Sequence, residues 1–322
     1  MKKFFVFAVW CIACAMQTPA TAQSDYPSTT VRIVVPFTPG AANDTLARVL
    51  APHLSEHLHQ PVIVENRPGA GGDLGAAYVA RQRADGYVLL LTSNAIVTSV
   101  ASKRKPALDL NKDLRPVALL GTQEMVLVAP PSLPANNVQQ LVDLAKSKPD
   151  ALTYGTPGLG TPQQLALELL KHERSIDILG VPFTGTAPAL TEAIAGRVSM
   201  VFGSITSAGG FINSKQLKPI GVTGEQRLNE LPDVPTFGEA GISGLNRGFW
   251  YGITVPAQTP DGVVKILFNA LSDSMKADDV VAQLKKLAIK SAVEPPQQFQ
   301  RLINDDLKKW KAVADFANIH LD

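Results

Sequence analysis

Cysteine is all but missing from this chain of 322 residues, since both copies, Cys11 and Cys14, fall within the first 22. The remainder can therefore form no disulfide and no thiolate metal site, and a chain of this size needs no such staple. An excess of one charge is missing too. Without Lys2 and Lys3 the 30 Lys+Arg become 28, equal to the 28 Asp+Glu. That balance argues against nucleic acid or an anionic membrane surface as partner. No apolar run after residue 22 approaches the roughly 18 residues of a membrane-spanning helix. Catalytic signatures are absent as well: there is no G-x-S-x-G elbow, no P-loop and no cysteine nucleophile. Short internal repeats are also lacking.

The first 22 residues stand apart. Lys2 and Lys3 precede an apolar stretch, Phe4–Met16, and Ala20-Thr21-Ala22 has the A-x-A form of a signal-peptidase site. This pattern predicts an exported protein cleaved after Ala22. The 300 residues from Gln23 to Asp322 suit two domains of ordinary size.

What the chain does have is a regular alternation of strands and helices. Val31–Val35 reads as a buried strand, Pro39-Gly40 as a turn, and Asn43 or Asp44 as the cap of a helix carrying Leu46, Val49, Leu50 and Leu54. Strands at Val62–Val64 and Tyr87–Leu91 flank a helix at Leu74–Arg81, the signature of an open α/β sheet. Lys103–Pro106 reads as a solvated basic loop, and Leu114–Leu120 and Met125–Ala129 as strands that cross to a second domain. There, after a helix at Val138–Lys146, the alternation resumes with Leu152–Tyr154, a glycine loop (YGTPGLGT), helices at Gln163–Leu170 and Ala189–Ala195, and strands at Ile178–Val181, Val198–Phe202 and Leu217–Val222. Gly248–Val255 returns to the first domain, and helices at Val263–Lys276, Val280–Leu287 and Pro296–Phe316 complete it. The expected organisation is α/β, with domain 1 discontinuous (23–124 and 248–322) and domain 2 at 125–247. Two crossings make a hinge with a cleft between the lobes.

Strand, small-residue turn and helix start together aim free N–H groups and a positive dipole end at one point, where an anion fits. Two such loops, Thr38–Asp44 and Gly155–Thr161, fall one in each expected domain, so they can grip one carboxylate without an ionic partner. Other motifs carry less. Gly69–Gly75 lacks the third glycine of a dinucleotide fingerprint, having Leu74 there. His53 and His57 match an H-x-x-E-H zinc pattern, but Leu46, Leu50, Leu54 and Leu58 claim that helix's core stripe and no third ligand is evident. His172 ends a helix in a charged run. Phe183, Phe249, Trp250 and Tyr251 are expected in the core, with one or two walling the cleft.

PFTPGAANDTLAR, VIVENRPGAGGDLGA, DGYVLLLTS, YGTPGLGT, VPFTGTAPALTEAIAGRV and LPDVPTFGEAGISG resemble the Bug-type periplasmic solute-binding proteins, the receptors of tripartite tricarboxylate transporters. The similarity runs from about Tyr26 to the C-terminus. It implies a two-domain, type II periplasmic binding protein fold of the Venus-flytrap kind, with membrane permease subunits as partners; no cofactor and no enzymatic activity are expected from the residues, and a receptor that must hinge is expected to be a monomer. It also implies that one ligand carboxylate meets Thr38, Gly40, Ala41 and Asn43 from one side and Thr156, Gly158, Gly160 and Thr161 from the other. Ser93, Phe183, Thr184, Gly185 and Ser204 would line the remainder. Leu159, Gln164 and the run Met200-Val201-Phe202-Gly203 depart from the family's usual Asn, His and M-F-D, which implies a flatter, more apolar pocket. The expected ligand is thus a mono- or dicarboxylate without an amine, aromatic acids included. A ligand sensor feeding a signalling partner would use the same cleft, and an exported zinc hydrolase on His53 and His57 is the remaining alternative.

Overall fold

Val31, Ile33 and Val35 are fully buried on one side of the first strand and Val34 on the other, as a strand covered on both faces requires. The computed structural model describes residues 26–149 and 151–321. The expected signal segment and its cleavage site lie outside the described residues. The first stretch runs β1 (Val31–Val35), α1 (Ala42–Leu58), β2 (Val62–Asn66), α2 (Asp73–Ala80), β3 (Val88–Ser93), α3 (Asn94–Ala101), α4 (Leu110–Asp113) and β4 (Leu114–Gln123). Next come β5 (Met125–Ala129), α5 (Val138–Ser147), β6 (Thr153–Thr156), α6 (Pro162–Arg174), β7 (Leu179–Pro182), α7 (Thr186–Ile194), β8 (Met200–Ser204), α8 (Ile205–Asn213) and β9 (Lys218–Val222). The chain ends with β10 (Phe249–Pro256), α9 (Asp261–Ser274), α10 (Asp278–Lys286), β11 (Lys290–Glu294) and α11 (Pro296–Phe316).

Two mixed sheets form, one per lobe, with strand orders β11-β4-β10-β3-β1-β2 and β7-β6-β8-β5-β9. Each has three parallel strands (β2, β1, β3 and β7, β6, β8) continued by antiparallel strands. β10 and β5, the first strands after each crossing, occupy equivalent places beside β3 and β8. Sheet membership changes at Glu124 and again before Phe249.

Helix α1 packs Leu46, Leu50, Leu54 and Leu58 into the first lobe's core, each such burial worth about 1.5–3 kcal/mol. His53 is left at the edge, where its Nε2 lies 2.8 Å from Asp279 Oδ1 and ties α1 to α10. Between the lobes, Val97 and Val100 of α3, Leu165 and Leu169 of α6, and Trp310 and Val313 of α11 belong to one contiguous buried cluster. The lobes are thus joined by apolar packing as well as by two strand crossings. On the outside of that seam His172 stacks on Phe316, ring centroids 3.9 Å apart. Trp250 and Tyr251 are core residues: the indole Nε1 donates to Asp306 (2.7 Å) and the phenol to Gln123 Oε1 (2.9 Å).

Four elements were not expected from the sequence: α3, α8, β11 and the single four-residue turn α4. Helix α3 is short and rich in β-branched residues, α8 contains Gly209-Gly210, and β11 is a charged edge strand, so none carries a clean periodic pattern.

Candidate functional site

The β1–α1 loop is fixed from within its helix. Ala41 is the N-cap, in extended conformation and with no side-chain cap, so the expectation that Asn43 or Asp44 caps the helix is corrected. Asp44 instead stands at the third helical position and reaches back to accept the Gly40 N–H (2.9 Å). It also accepts from Arg48 Nε (3.0 Å) and Asn66 Nδ2 (2.8 Å), while the same Asn66 amide donates to Phe37 O (3.1 Å). Burial alone would push the Asp44 carboxyl up; the hydrogen bonds from Arg48, Gly40 and Asn66 outweigh it and hold the carboxyl below its usual value. Thr38 and Gly40 are exposed, and Gly40 takes φ +85°, a conformation that suits glycine. Asn43 is buried, and its Nδ2 has no acceptor among the described residues.

The β6–α6 loop repeats the device. Gly160 donates its N–H to Gln164 Oε1 (2.7 Å), four residues on, as Gly40 does to Asp44. Thr156, buried at the end of β6, and Thr161, the N-cap of α6, both donate to the Gly158 carbonyl (3.0 and 2.8 Å). Among the described residues the N–H groups of Gly158 and Leu159 meet no acceptor, nor do those of Ala42 and Asn43 at the start of α1. Gly160, expected among the ligand's donors, thus has its amide already engaged.

The remaining expected residues stand at neighbouring strand ends. Ser93 is buried and begins α3; Ser204 begins α8 and accepts the Ser207 N–H (3.2 Å). Phe183 donates its N–H to Thr156 O (2.8 Å), and Thr184 and Gly185 lead into α7. All thirteen positions therefore lie at or just beyond the carboxyl ends of β1, β3, β6, β7 and β8, where helices begin and ligands of open α/β sheets bind.

A cavity of about 370 Å³ opens between the lobes. From the first lobe Phe37, Ala70, Gly71, Ala95, Ser99 and Lys103 line it; Leu159, Gly160 and Thr161 face them from the second, with Leu321 beside them. Of the expected set, Gly160 and Thr161 line this space directly. Lys103 is not the solvated residue expected: it is mostly buried and ion-paired with Asp73, whose second oxygen has no partner among the described residues. Nothing local in the sequence links positions 73 and 103, and Lys103 opens a basic run that reads as surface. Leu321 is held here by its N–H, which donates to Ser102 O (2.7 Å). Gly160 takes φ +69°, a conformation that suits glycine, and a Cβ there would lie 2.6 Å from Leu321 Cδ1 and displace that side chain. Among the described residues no three metal-binding side chains stand together.

A profile described as "Tripartite tricarboxylate transporter family receptor" matches residues 46–319. The chain belongs to this receptor family. It is a periplasmic solute-binding receptor of the TctC/Bug type and not an enzyme. A relative encoded between tcbD and tcbE in Pseudomonas sp. (strain P51) is 36% identical over 304 residues, covering 93% of this chain and 90% of that one. Two solved receptors superpose over 92% of this chain and all of theirs. They are the periplasmic binding protein BugD (29% identity, TM-score 0.76) and R. palustris Rpa4515 with adipate (31%, TM-score 0.78). The two-lobed receptor fold accounts for both sheets and for the cleft between them.

Proposed function

We propose that this receptor captures one small carboxylate between its lobes and delivers it to the membrane permease subunits of a tripartite transporter. The observation that carries this reading is the matched pair of strand-to-helix loops, one per lobe, each with N–H groups that are unpaired among the described residues and neither with an unpaired cation among them. Such donors bind an anion at helix N-termini without a counter-charge. In this reading Thr38, Ala41 and Asn43 contact the carboxylate from the first lobe and Gly158 and Thr161 from the second. Gly40, Gly160 and Thr156 hold the two loops in shape, while Ser93, Phe183, Thr184, Gly185 and Ser204 complete the walls. The lobes hinge at Glu124 and Gly248, so that domain 2 spans 125–247. The protein acts as a monomer after cleavage behind Ala22. Adipate in a relative supports a carboxylate ligand.

Thermal-shift titration of residues 23–322 against small carboxylates, amino acids and zinc tests this. A ligand at 100 times its Kd adds about 2.7 kcal/mol, which raises the Tm of a chain this long by roughly 4 °C. A shift confined to one carboxylate class is expected. Silence from every carboxylate together with a response to zinc would overturn the reading.

A further inference from the structure

Resting on that carboxylate-receptor reading, we infer that the ligand is a monocarboxylic acid with an apolar, ring-sized body seated against Phe37, Leu159 and Leu321, rather than a dicarboxylate. The two ends of a bound ligand meet different surroundings. The N–H groups of Gly158 and Leu159 have no acceptor among the described residues, and the loop that carries them continues into Gly160 and Thr161, which line the cavity. A carboxylate held by the loop therefore extends its remainder into the space of about 370 Å³, within the roughly 300–1,000 Å³ typical of small-molecule sites.

Among the described residues, that space offers a second charge no cation that is not already paired. Among the described lining residues Lys103 is the one ionised side chain, and its ammonium is bound to the Asp73 carboxylate. Asp73 is itself buried and has one oxygen without a donor among the described residues, so drawing Lys103 away would leave a buried carboxylate unpaired. A second carboxylate entering here would have to compete with the Asp73 carboxylate for Lys103. Apolar surface, by contrast, is available. Leu159 is 58% exposed although it borders the cavity, Phe37 faces it from the first lobe, and Leu321 lines the same space. An exposed leucine facing a cleft gains by being covered, and a ring-sized apolar group covers it.

Calorimetric titration with benzoate, cyclohexanecarboxylate and adipate separates the possibilities. Benzoate or cyclohexanecarboxylate is expected to bind at least tenfold tighter than adipate. Leu159→Asn, a change at an exposed position, should weaken that acid about tenfold while the unliganded Tm stays constant. Asp73→Asn should free Lys103 and raise adipate affinity by about tenfold, a gain that general damage to the fold would not produce. Adipate binding more tightly than both ring acids would overturn this inference and leave the carboxylate-receptor reading intact. Failure of every carboxylate to bind the wild-type protein would overturn both.

Discussion

Gly40 and Gly160 show how single residues set up the cleft. Each donates its N–H to a side chain four positions later, Asp44 Oδ2 at 2.9 Å and Gln164 Oε1 at 2.7 Å. The two lobes thus stiffen their binding loops in the same way with different chemistry, one charged and one neutral. Stiffening matters because a preformed loop loses less freedom when it binds. The charged version also makes the first loop sensitive to acid. The folded-state pKa of Asp44 lies below its ordinary 3.8, so the unfolded chain takes up the proton first as pH falls. Its contribution is complete above that ordinary value and is lost as pH drops through the folded one. Asp44→Asn should cost about 2 kcal/mol at pH 7, the scale of a hydrogen bond to a charged group. In urea unfolding at a series of pH values, the gap between variant and wild type should narrow below pH 3.8. A gap independent of pH would show that the carboxylate's charge contributes nothing.

At the scale of elements, the crossings are tightly built. Glu124 lies between β4 and β5, where its carboxylate accepts from Thr223 Oγ1 (2.5 Å) and from the Gly248 N–H (2.9 Å), so one side chain binds both crossings together. Gly248 also gives its carbonyl to Asn94 Nδ2 (3.0 Å). A Cβ at 248 would collide with Gln123 O and stand 2.7 Å from Met125 N, both backbone atoms that cannot step aside. Gly248→Ala should therefore lower stability by about 3 kcal/mol, the upper end for overpacking, seen as a fall in the urea midpoint at unchanged slope. A variant as stable as wild type would mean that the crossings yield easily. Most of this level was legible in the sequence: β1, β2, β3, β6 and β10 carry runs of apolar or β-branched residues, and α9 and α11 show helical spacing. The helix cap was not, because an acid inside the first turn and one at the cap give the same local pattern. Nor was the Lys103–Asp73 pair, which joins residues 30 apart through tertiary packing alone. The two glycine loops could be read as anion sites from composition, but which of their amides are already used depends on the side chains of Asp44 and Gln164.

The whole molecule is two lobes sharing a seam in which α3 and α11 of the first pack on α6 of the second. Motion that preserves this seam is a rotation about it, opening and closing the cleft on the side where the loops face each other. Small-angle scattering on residues 23–322 should show a smaller radius of gyration with a saturating carboxylate than without. Equal radii, with binding established by calorimetry, would mean that the lobes are already set and that a transporter cannot distinguish the loaded receptor by its closure.

The place of β10 has a consequence for how the chain acquires its shape. β10 lies between β3 and β4, yet it begins at Phe249, 126 residues after β4 ends at Gln123. A chain that emerges N-terminus first must hold β3 and β4 with their facing edges unpaired while the second lobe, contiguous in sequence, is free to assemble. The first lobe closes last, when β10 slots in and α11 follows. Order of synthesis and order of completion are therefore opposite for the two halves, and the binding cleft comes into being only at the final step.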